Sequence, residues 1–127
     1  VYKRQVYAYR EIQTEVVEKG VFRVQMNESL ATILITNLLK NAFVHNVDGG
    51  HIRIEITSHR FTFCNSGVEH SLDSTHIFER FYQGTKKEGS TGLGLAIVDS
   101  ICRLQNIGLK YYFQNGEHCF EISEEQI

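Results

Sequence analysis

Two asparagines within an apolar stretch are the first side chains whose spacing suggests chemistry. Asn37, Asn41 and His45 recur every four residues, so in a helix they would lie on one face. Asn is a mediocre helix former, and these two interrupt an otherwise apolar run. An Asn offers a hard oxygen to Mg²⁺ and an NH₂ group to a phosphate oxygen. The spacing is therefore compatible with a Mg²⁺–phosphate site and equally with an ordinary solvated helix surface.

A glycine-rich segment further along the chain is a second candidate for phosphate binding. Residues 84–95 read GTKKEGSTGLGL and lead into a predicted helix. Free backbone N–H groups at a helix start attract anions, and glycines let a phosphate approach the backbone. The segment is not a Walker A loop, because it lacks G-K-[ST], nor a Rossmann fingerprint, because Ala96 and Ile97 occupy the position of the third glycine. By itself it fits either a phosphate-binding loop or a simple turn.

The elements that would position these residues predict an α/β sandwich. Asn27 is a candidate N-cap for a helix from Glu28 to about His45, which is apolar nearly all round. A second helix is predicted over residues 91–104. The alternation of apolar and polar residues predicts three hairpins, with strands at 12–16 and 21–26, 51–57 and 60–64, and 109–113 and 119–122. This order favours a mixed sheet covered by helices.

Composition excludes several classes of protein. The chain has 127 residues, 42% of them hydrophobic, which suits one globular domain and not a disordered segment. A net charge of −2 gives no basic footprint for nucleic acid. No apolar run approaches the roughly 20 residues of a membrane span. The three cysteines and six histidines show no metal-ligand spacing, so we expect thiols in a reducing compartment and no protein-ligated transition metal.

Four motifs in order resemble those of sensor histidine kinases. They are the N-box NLLKNA at 37–42, the first glycine box NSG at 65–67, the F-box IFERFY at 77–82 and the second glycine box TGLGLAIV at 91–98. The resemblance covers residues 21 to 123 and implies the Bergerat-type ATP-binding fold, a two-layer α/β sandwich with about three helices. Residues 1–10 are then expected to be a linker or the end of an upstream helix, and 11–127 the catalytic domain.

The resemblance implies ATP and Mg²⁺ as cofactors and assigns roles to individual residues. Asn41 matches the metal ligand, Asn37 would contact the phosphates or the water shell of the metal, and Asn65 matches the reader of the adenine amino group. Asn37, Asn41 and Arg80 are expected to carry catalysis. The other expected nucleotide contacts are His45, Gly67, Lys86, Lys87, Thr91, Gly92, Leu93, Gly94 and Leu95. Residues 83–91 match a mobile lid.

Three residues depart from the family pattern. Asn65 replaces the usual Asp, so its hydrogen bond to adenine lacks the charge that makes such a bond roughly twice as strong. Glu69 stands where the first glycine box has its second Gly, and Val44 where many members have Lys or Arg. Lys86 or Lys87 could supply the missing positive charge. We therefore expect weak ATP binding.

The resemblance also implies partners. No His here precedes the acidic-apolar-basic pattern of a phosphoacceptor helix, so the acceptor is expected on a dimerisation and histidine phosphotransfer domain of the same protein, with a response regulator downstream. No nucleic acid and no direct membrane contact are expected. The isolated domain is expected to be a monomer, located in the cytoplasm as part of a membrane-anchored bacterial sensor.

Two other functions stay open at this point. A non-catalytic nucleotide-binding or docking module would fit the degenerate first glycine box. A serine kinase of the anti-sigma-factor type shares the fold, although the F-box disfavours it.

Overall fold

The computed structural model describes residues 11–73, 76–79 and 93–124, which form a sheet packed against two helices. The elements are β1 (Gln13–Glu18), α1 (Glu28–Val44), β2 (His51–Ile56), β3 (Arg60–Asn65), α2 (Gly94–Leu104), β4 (Gly108–Gln114) and β5 (Glu117–Ser123). The sheet has five strands in the order β1-β2-β3-β5-β4. No helix in these three ranges is long and apolar enough to cross a membrane.

The sheet is mixed, as the sequence predicts. β1 runs parallel to β2, and the pairs β2–β3, β3–β5 and β5–β4 are antiparallel. The predicted α/β sandwich is therefore confirmed. The turn between β4 and β5 has Asn115 and Gly116 at φ values of 53° and 76°, the left-handed conformations that a tight Asn-Gly hairpin turn requires.

The predicted hairpin between strands at 12–16 and 21–26 is wrong. Residues 21–26 are not a strand, and β1 instead pairs with β2. Phe22 and Met26 pack against the core, with the Phe22 ring 5.2 Å from the ring of Phe61, while Val21 is exposed. The alternation of apolar and polar residues thus reflects core packing without backbone pairing.

Helix α1 begins as the sequence predicts. The side chain of Asn27 accepts hydrogen bonds from the backbone N–H groups of Ser29 and Leu30, at 2.8 and 3.3 Å. The helix buries Leu34 and Leu38 against the sheet and ends at its C-cap, His45. The line of Asn37, Asn41 and His45 is half-buried and borders this buried stripe, while Thr32, Thr36 and Lys40 are exposed.

Helix α2 begins at Gly94, three residues later than predicted. Its buried face, Val98, Ile101 and Cys102, joins α1 in a core that includes Phe63 and Phe120 from the sheet. Both helices therefore cover the same face of the sheet. The other face has no helix over it among the described residues.

Candidate functional site

Asn37 connects the polar face of α1 to the start of α2. Its Nδ2 donates a hydrogen bond to the carbonyl of Ile33, at 2.8 Å, which fixes the orientation of the side chain. The Oδ1 atom faces Gly94, where an added Cβ would lie 3.2 Å away. The two segments that the sequence predicted to bind phosphate are therefore adjacent.

The N-terminal end of α2 has no capping side chain among the described residues. Leu93 is its N-cap and supplies no side-chain hydrogen bond, and no acidic residue lies in the first turn. The first backbone N–H groups of a helix carry partial positive charge and need partners. Gly94 and Leu95, both half-buried, present this end beside Asn37.

The other end of the polar face meets the loop that follows β3. An added Cβ on Gly67 would lie 3.1 Å from the backbone carbonyl oxygen of His45 and 3.1 Å from Cδ2 of His118. Only glycine allows this approach without displacing a neighbour. Gly67 therefore holds the predicted first glycine box against the C-terminal end of α1.

Asn65, the last residue of β3, carries an unsatisfied acceptor. The residue is 2% exposed, and its Nδ2 donates to the carbonyl of Ser66 at 2.8 Å. Its Oδ1 is buried and has no hydrogen-bond donor within the described part of the chain. Leaving such an acceptor unpaired costs about 1–3 kcal/mol. The atom with which Asn65 was predicted to accept from a ligand is thus the atom that lacks a donor.

His118 and Tyr111 hold the same loop, and neither was a predicted site residue. His118 lies opposite Asn65 in the sheet register; its Nε2–H donates to the carbonyl of Val68 at 2.7 Å. The Tyr111 hydroxyl donates to His118 Nδ1 at 2.7 Å and accepts from the N–H of Leu72 at 3.0 Å. Burial lowers the pKa of His118, against the hydrogen bond to Val68, which raises it. The neutral ring is the form that this network requires.

Asn46 was also missed, and it joins three segments behind the site. The fully buried side chain donates from Nδ2 to the carbonyls of Ala42 and His51, at 3.1 and 3.0 Å. Its Oδ1 accepts from the N–H of Val47 and from the hydroxyl of Ser66. The end of α1, the start of β2 and the start of the loop are thereby fixed together. No local sequence pattern distinguishes this Asn from one in an ordinary helix-end turn.

Gly50 leaves room for this hydrogen-bonded group. A Cβ added there would come closer than 3.0 Å to Asn46 Oδ1 and to Ser66 Oγ, a separation that real Cβ atoms do not show. A residue with a side chain would therefore clash at this position, and glycine is required.

These residues place a different chemistry at each end of the polar face of α1. Helical rise from Asn37 to His45 is about 12 Å at 1.5 Å per residue. One end offers open helix N–H groups beside Asn37, which suit phosphate. The other end offers the unpaired acceptor of Asn65. Asn41 lies between the two ends and is half-buried. This arrangement suits an elongated ligand with an anionic end and a hydrogen-bonding end.

Several predicted site residues lie outside the described residues: Arg80, Lys86, Lys87, Thr91 and Gly92, with the predicted lid at 83–91 and the predicted linker at 1–10. Their assigned roles stay predictions. The start of the F-box is described, and Ile77 is buried while Phe78 packs edge-on against Phe120, with ring centroids 6.2 Å apart. These two residues belong to the core.

The fold is an α/β sandwich, and comparison with known proteins places it among ATP-binding domains. Residues 26–124 match the model of the histidine kinase-, DNA gyrase B- and HSP90-like ATPases. The chain belongs to this family. The predicted resemblance to the ATP-binding domain of sensor histidine kinases is thereby confirmed.

The curated relatives include two sensors. Sensor histidine kinase RppB of Synechocystis sp. is 40% identical over 84 residues, which are 59% of this chain and 18% of that protein. Heme sensor protein HssS of Staphylococcus aureus is 38% identical over 97 residues, which are 72% of this chain and 21% of that protein. The chain thus spans about a fifth of the length of these relatives.

Solved structures support the fold. The catalytic domain of histidine kinase ThkA aligns with a TM-score of 0.82 and 19% identity, over 98% of this chain and 86% of that chain. ThkA in complex with the response regulator protein TrrA aligns with a TM-score of 0.77 and 18% identity, over 99% of this chain and 37% of that chain.

Proposed function

We propose that this domain binds Mg²⁺-ATP along the polar face of α1 and donates the γ-phosphoryl group to a histidine on a separate dimerisation domain of the same protein. The observation that carries the proposal is the geometry of that face. It meets open helix N–H groups at Gly94 and the loop after β3 at Gly67, next to the unpaired Oδ1 of Asn65. Phosphates and a nucleobase need these two kinds of partner at opposite ends.

The phosphate end lies at the start of α2. Asn37 and the backbone N–H groups of Gly94 and Leu95 would bind phosphate oxygens, aided by the helix dipole. Leu93 would supply backbone to the same phosphates, and Thr91, Gly92, Lys86 and Lys87 would add donors and positive charge. Arg80 would contact the phosphate or the acceptor domain.

Asn41 is the proposed Mg²⁺ ligand. Its carboxamide oxygen is a hard donor, and Mg²⁺ keeps waters and substrate phosphates as its other ligands, so one protein ligand suffices. Bound there, the ion would neutralise charge on the phosphate oxygens. Asn37, one turn earlier on the same face, would bind a water of its hydration shell or a phosphate.

The base end lies at Asn65. Its Oδ1 would accept a hydrogen bond from the amino group of adenine, which satisfies the acceptor left unpaired in the sheet. Guanine has a carbonyl oxygen at the corresponding position. Two hydrogen-bond acceptors, this oxygen and Asn65 Oδ1, would then face each other. His45, half-buried at the end of the polar face, would pack beside the nucleotide.

The chemistry of this domain would be positioning and charge neutralisation, as in other phosphoryl transfers. The acceptor histidine and its general base would lie on the dimerisation domain. The complex of ThkA with TrrA supports a response regulator as the next partner. A cytoplasmic location follows from the same proposal, because ATP and the response regulator are both found there.

A transfer assay with separated domains tests the proposal. The purified chain is incubated with labelled ATP, with and without the dimerisation domain of its own protein. We expect acid-labile label on the dimerisation domain and none on this chain alone. The variant Asn41→Ala should abolish transfer, whereas Thr36→Ala, on the exposed side of the same helix, should not. Nucleotide binding without phosphoryl transfer would favour the non-catalytic docking module. Acid-stable label on a serine of a partner would favour the serine kinase.

A further inference from the structure

Two cysteines lie directly opposite each other on the face of the sheet away from the helices. Cys64 of β3 pairs in register with Cys119 of β5. Both are free thiols, 1% and 2% exposed. They are 55 positions apart in the chain, so only the strand register brings them together. This is why the sequence showed no metal-binding pattern.

Glu117 completes a three-ligand group with these cysteines. One ligand atom from each of the three residues lies within 4.8 Å of the other two. Two thiolate sulfurs on a tetrahedral Zn²⁺, each bonded at 2.3 Å, are separated by roughly 3.8 Å. The ligand atoms therefore need to close by about 1 Å at most, which side-chain rotation can supply.

The charges around the group suit a bound cation. Arg53 Nη2 donates to Glu117 Oε1 at 2.8 Å, and His51 Nε2 lies 2.8 Å from Oε2. Both carboxylate oxygens of Glu117 are thus held by neighbouring side chains. The net charge of the site is zero when it holds two thiolates, the carboxylate, a divalent cation and the Arg53 guanidinium.

A cavity of about 430 Å³ lies beside the group. Its lining includes Gln13, Glu15, His51, Arg53 and Glu117. Glu117 is thus shared between the cavity wall and the cysteine pair. This wall lies on the side of the sheet away from the helices, whereas the proposed nucleotide surface lies on the helix-covered side.

We propose that Cys64, Cys119 and Glu117 bind a soft divalent cation, Zn²⁺, with water as the fourth ligand. Two thiolates select Zn²⁺ over Mg²⁺, so this site is chemically distinct from the Mg²⁺ site proposed at Asn41. Binding replaces the S–H bonds by Zn–S bonds, and the protons go to solvent. His51 orients the carboxylate through its hydrogen bond. The site also ties β3 to β5 beside Asn65 and His118, the two residues that shape the loop after β3.

Metal titration of the reduced, chelator-treated domain tests the proposal. Co²⁺ and Cd²⁺ serve as probes, because thiolate ligands give them sulfur-to-metal charge-transfer absorption. We expect one ion per chain, displacement by Zn²⁺, and proton release on binding. Cys64→Ser should lose the absorption, and Glu117→Gln should weaken binding about tenfold or more while keeping it.

Cys102→Ser is the matched control, because Cys102 is a buried thiol on α2, on the other side of the sheet. It should bind the probes like the parent, and circular dichroism should show that each variant is folded. The proposal is overturned if the parent shows no charge-transfer band, or if Cys64→Ser and Glu117→Gln both bind like the parent. Thiol titration of the unfolded parent that finds only one free thiol would show a disulfide in place of the metal site.

Discussion

The side chain of Asn37 lies beside Gly94 where the two helices meet. A Cβ on Gly94 would be 3.2 Å from Asn37 Oδ1, and Asn37 cannot turn away without losing its hydrogen bond to Ile33. This proximity joins the two segments that carry the proposed phosphate site. It makes the geometry of that site sensitive to a single methyl group.

Gly94→Ala should therefore weaken nucleotide binding more than it affects folding. The added methyl would push Asn37 Oδ1 by a few tenths of an ångström. We expect the affinity for Mg²⁺-ADP to fall about tenfold, which is about 1.4 kcal/mol. The melting temperature should change little, since Ala is the better helix former by up to about 1 kcal/mol. Ser100→Ala, exposed on the same helix, is the control for calorimetric titration. Parental affinity in Gly94→Ala would show that phosphate does not bind here.

Asn65→Asp should tighten binding of adenine nucleotides and destabilise the free domain. A carboxylate accepts a stronger hydrogen bond from adenine, by something on the order of 1 kcal/mol, or several-fold in affinity. The same change removes the Nδ2 donor to Ser66 and buries a charge in a residue that is 2% exposed. Urea unfolding without ligand and ADP titration measure the two effects separately. Unchanged ADP affinity, together with equal binding of guanine nucleotides, would remove Asn65 from the base site.

Asn46→Ala should cost far more stability than a typical polar substitution. Its side chain satisfies the carbonyls of Ala42 and His51 inside the protein, and their loss of partners should cost about 2–3 kcal/mol in the free energy of unfolding. Thr32→Ala is a matched control, because it removes one exposed hydrogen bond to Glu28 and should change stability by about 0.5 kcal/mol or less. Equal costs in urea titrations would mean that Asn46 does not join the helix to the loop.

His118→Gln should reduce the loss of stability in mild acid. Burial lowers the pKa of His118 in the folded protein below the value of about 6.5 for an unfolded chain. The contribution of His118 to the free energy of unfolding is therefore fully present above about pH 6.5. It is lost as the pH falls towards the pKa of the folded state, because the unfolded chain binds the proton first. Urea unfolding at pH 7.5 and 5.5 should show a smaller difference for the variant. Identical differences would mean that His118 is not held neutral.

The elements that the sequence predicted correctly are those with clear local chemistry. Asn27 caps α1 as its residue type predicts, and the predicted hairpin between 109–113 and 119–122 forms around a tight turn at Asn115 and Gly116. Residues 21–26 misled because packing of Phe22 and Met26 against the core imitates strand alternation. A strand's partner depends on the whole sheet, so the parallel pairing of β1 with β2 could not be derived from either segment.

Contacts between distant segments of the site could not be derived from local sequence patterns either. Asn37 and His45 lie on one helix face because that face follows from their spacing, and each neighbours one predicted glycine, Gly94 and Gly67 respectively. The bonds of His118 to Val68 and to Tyr111 join residues that are 50 and 7 positions apart, and side-chain networks of this kind leave no periodic signal. The sequence accordingly predicted residues along the proposed nucleotide site and did not predict those that hold the loop behind it.

Calorimetric titration of the parent and of Asn41→Ala with ATP, with and without Mg²⁺, tests the central claim most directly. The parent should bind ATP more tightly with Mg²⁺ than without it. Asn41→Ala should lose this difference and keep its melting temperature without ligand, because Ala is a better helix former than Asn. Thr36→Ala should bind like the parent. If Asn41→Ala binds Mg²⁺-ATP as the parent does, or if the folded parent binds no ATP, the polar face of α1 is not a Mg²⁺-ATP site.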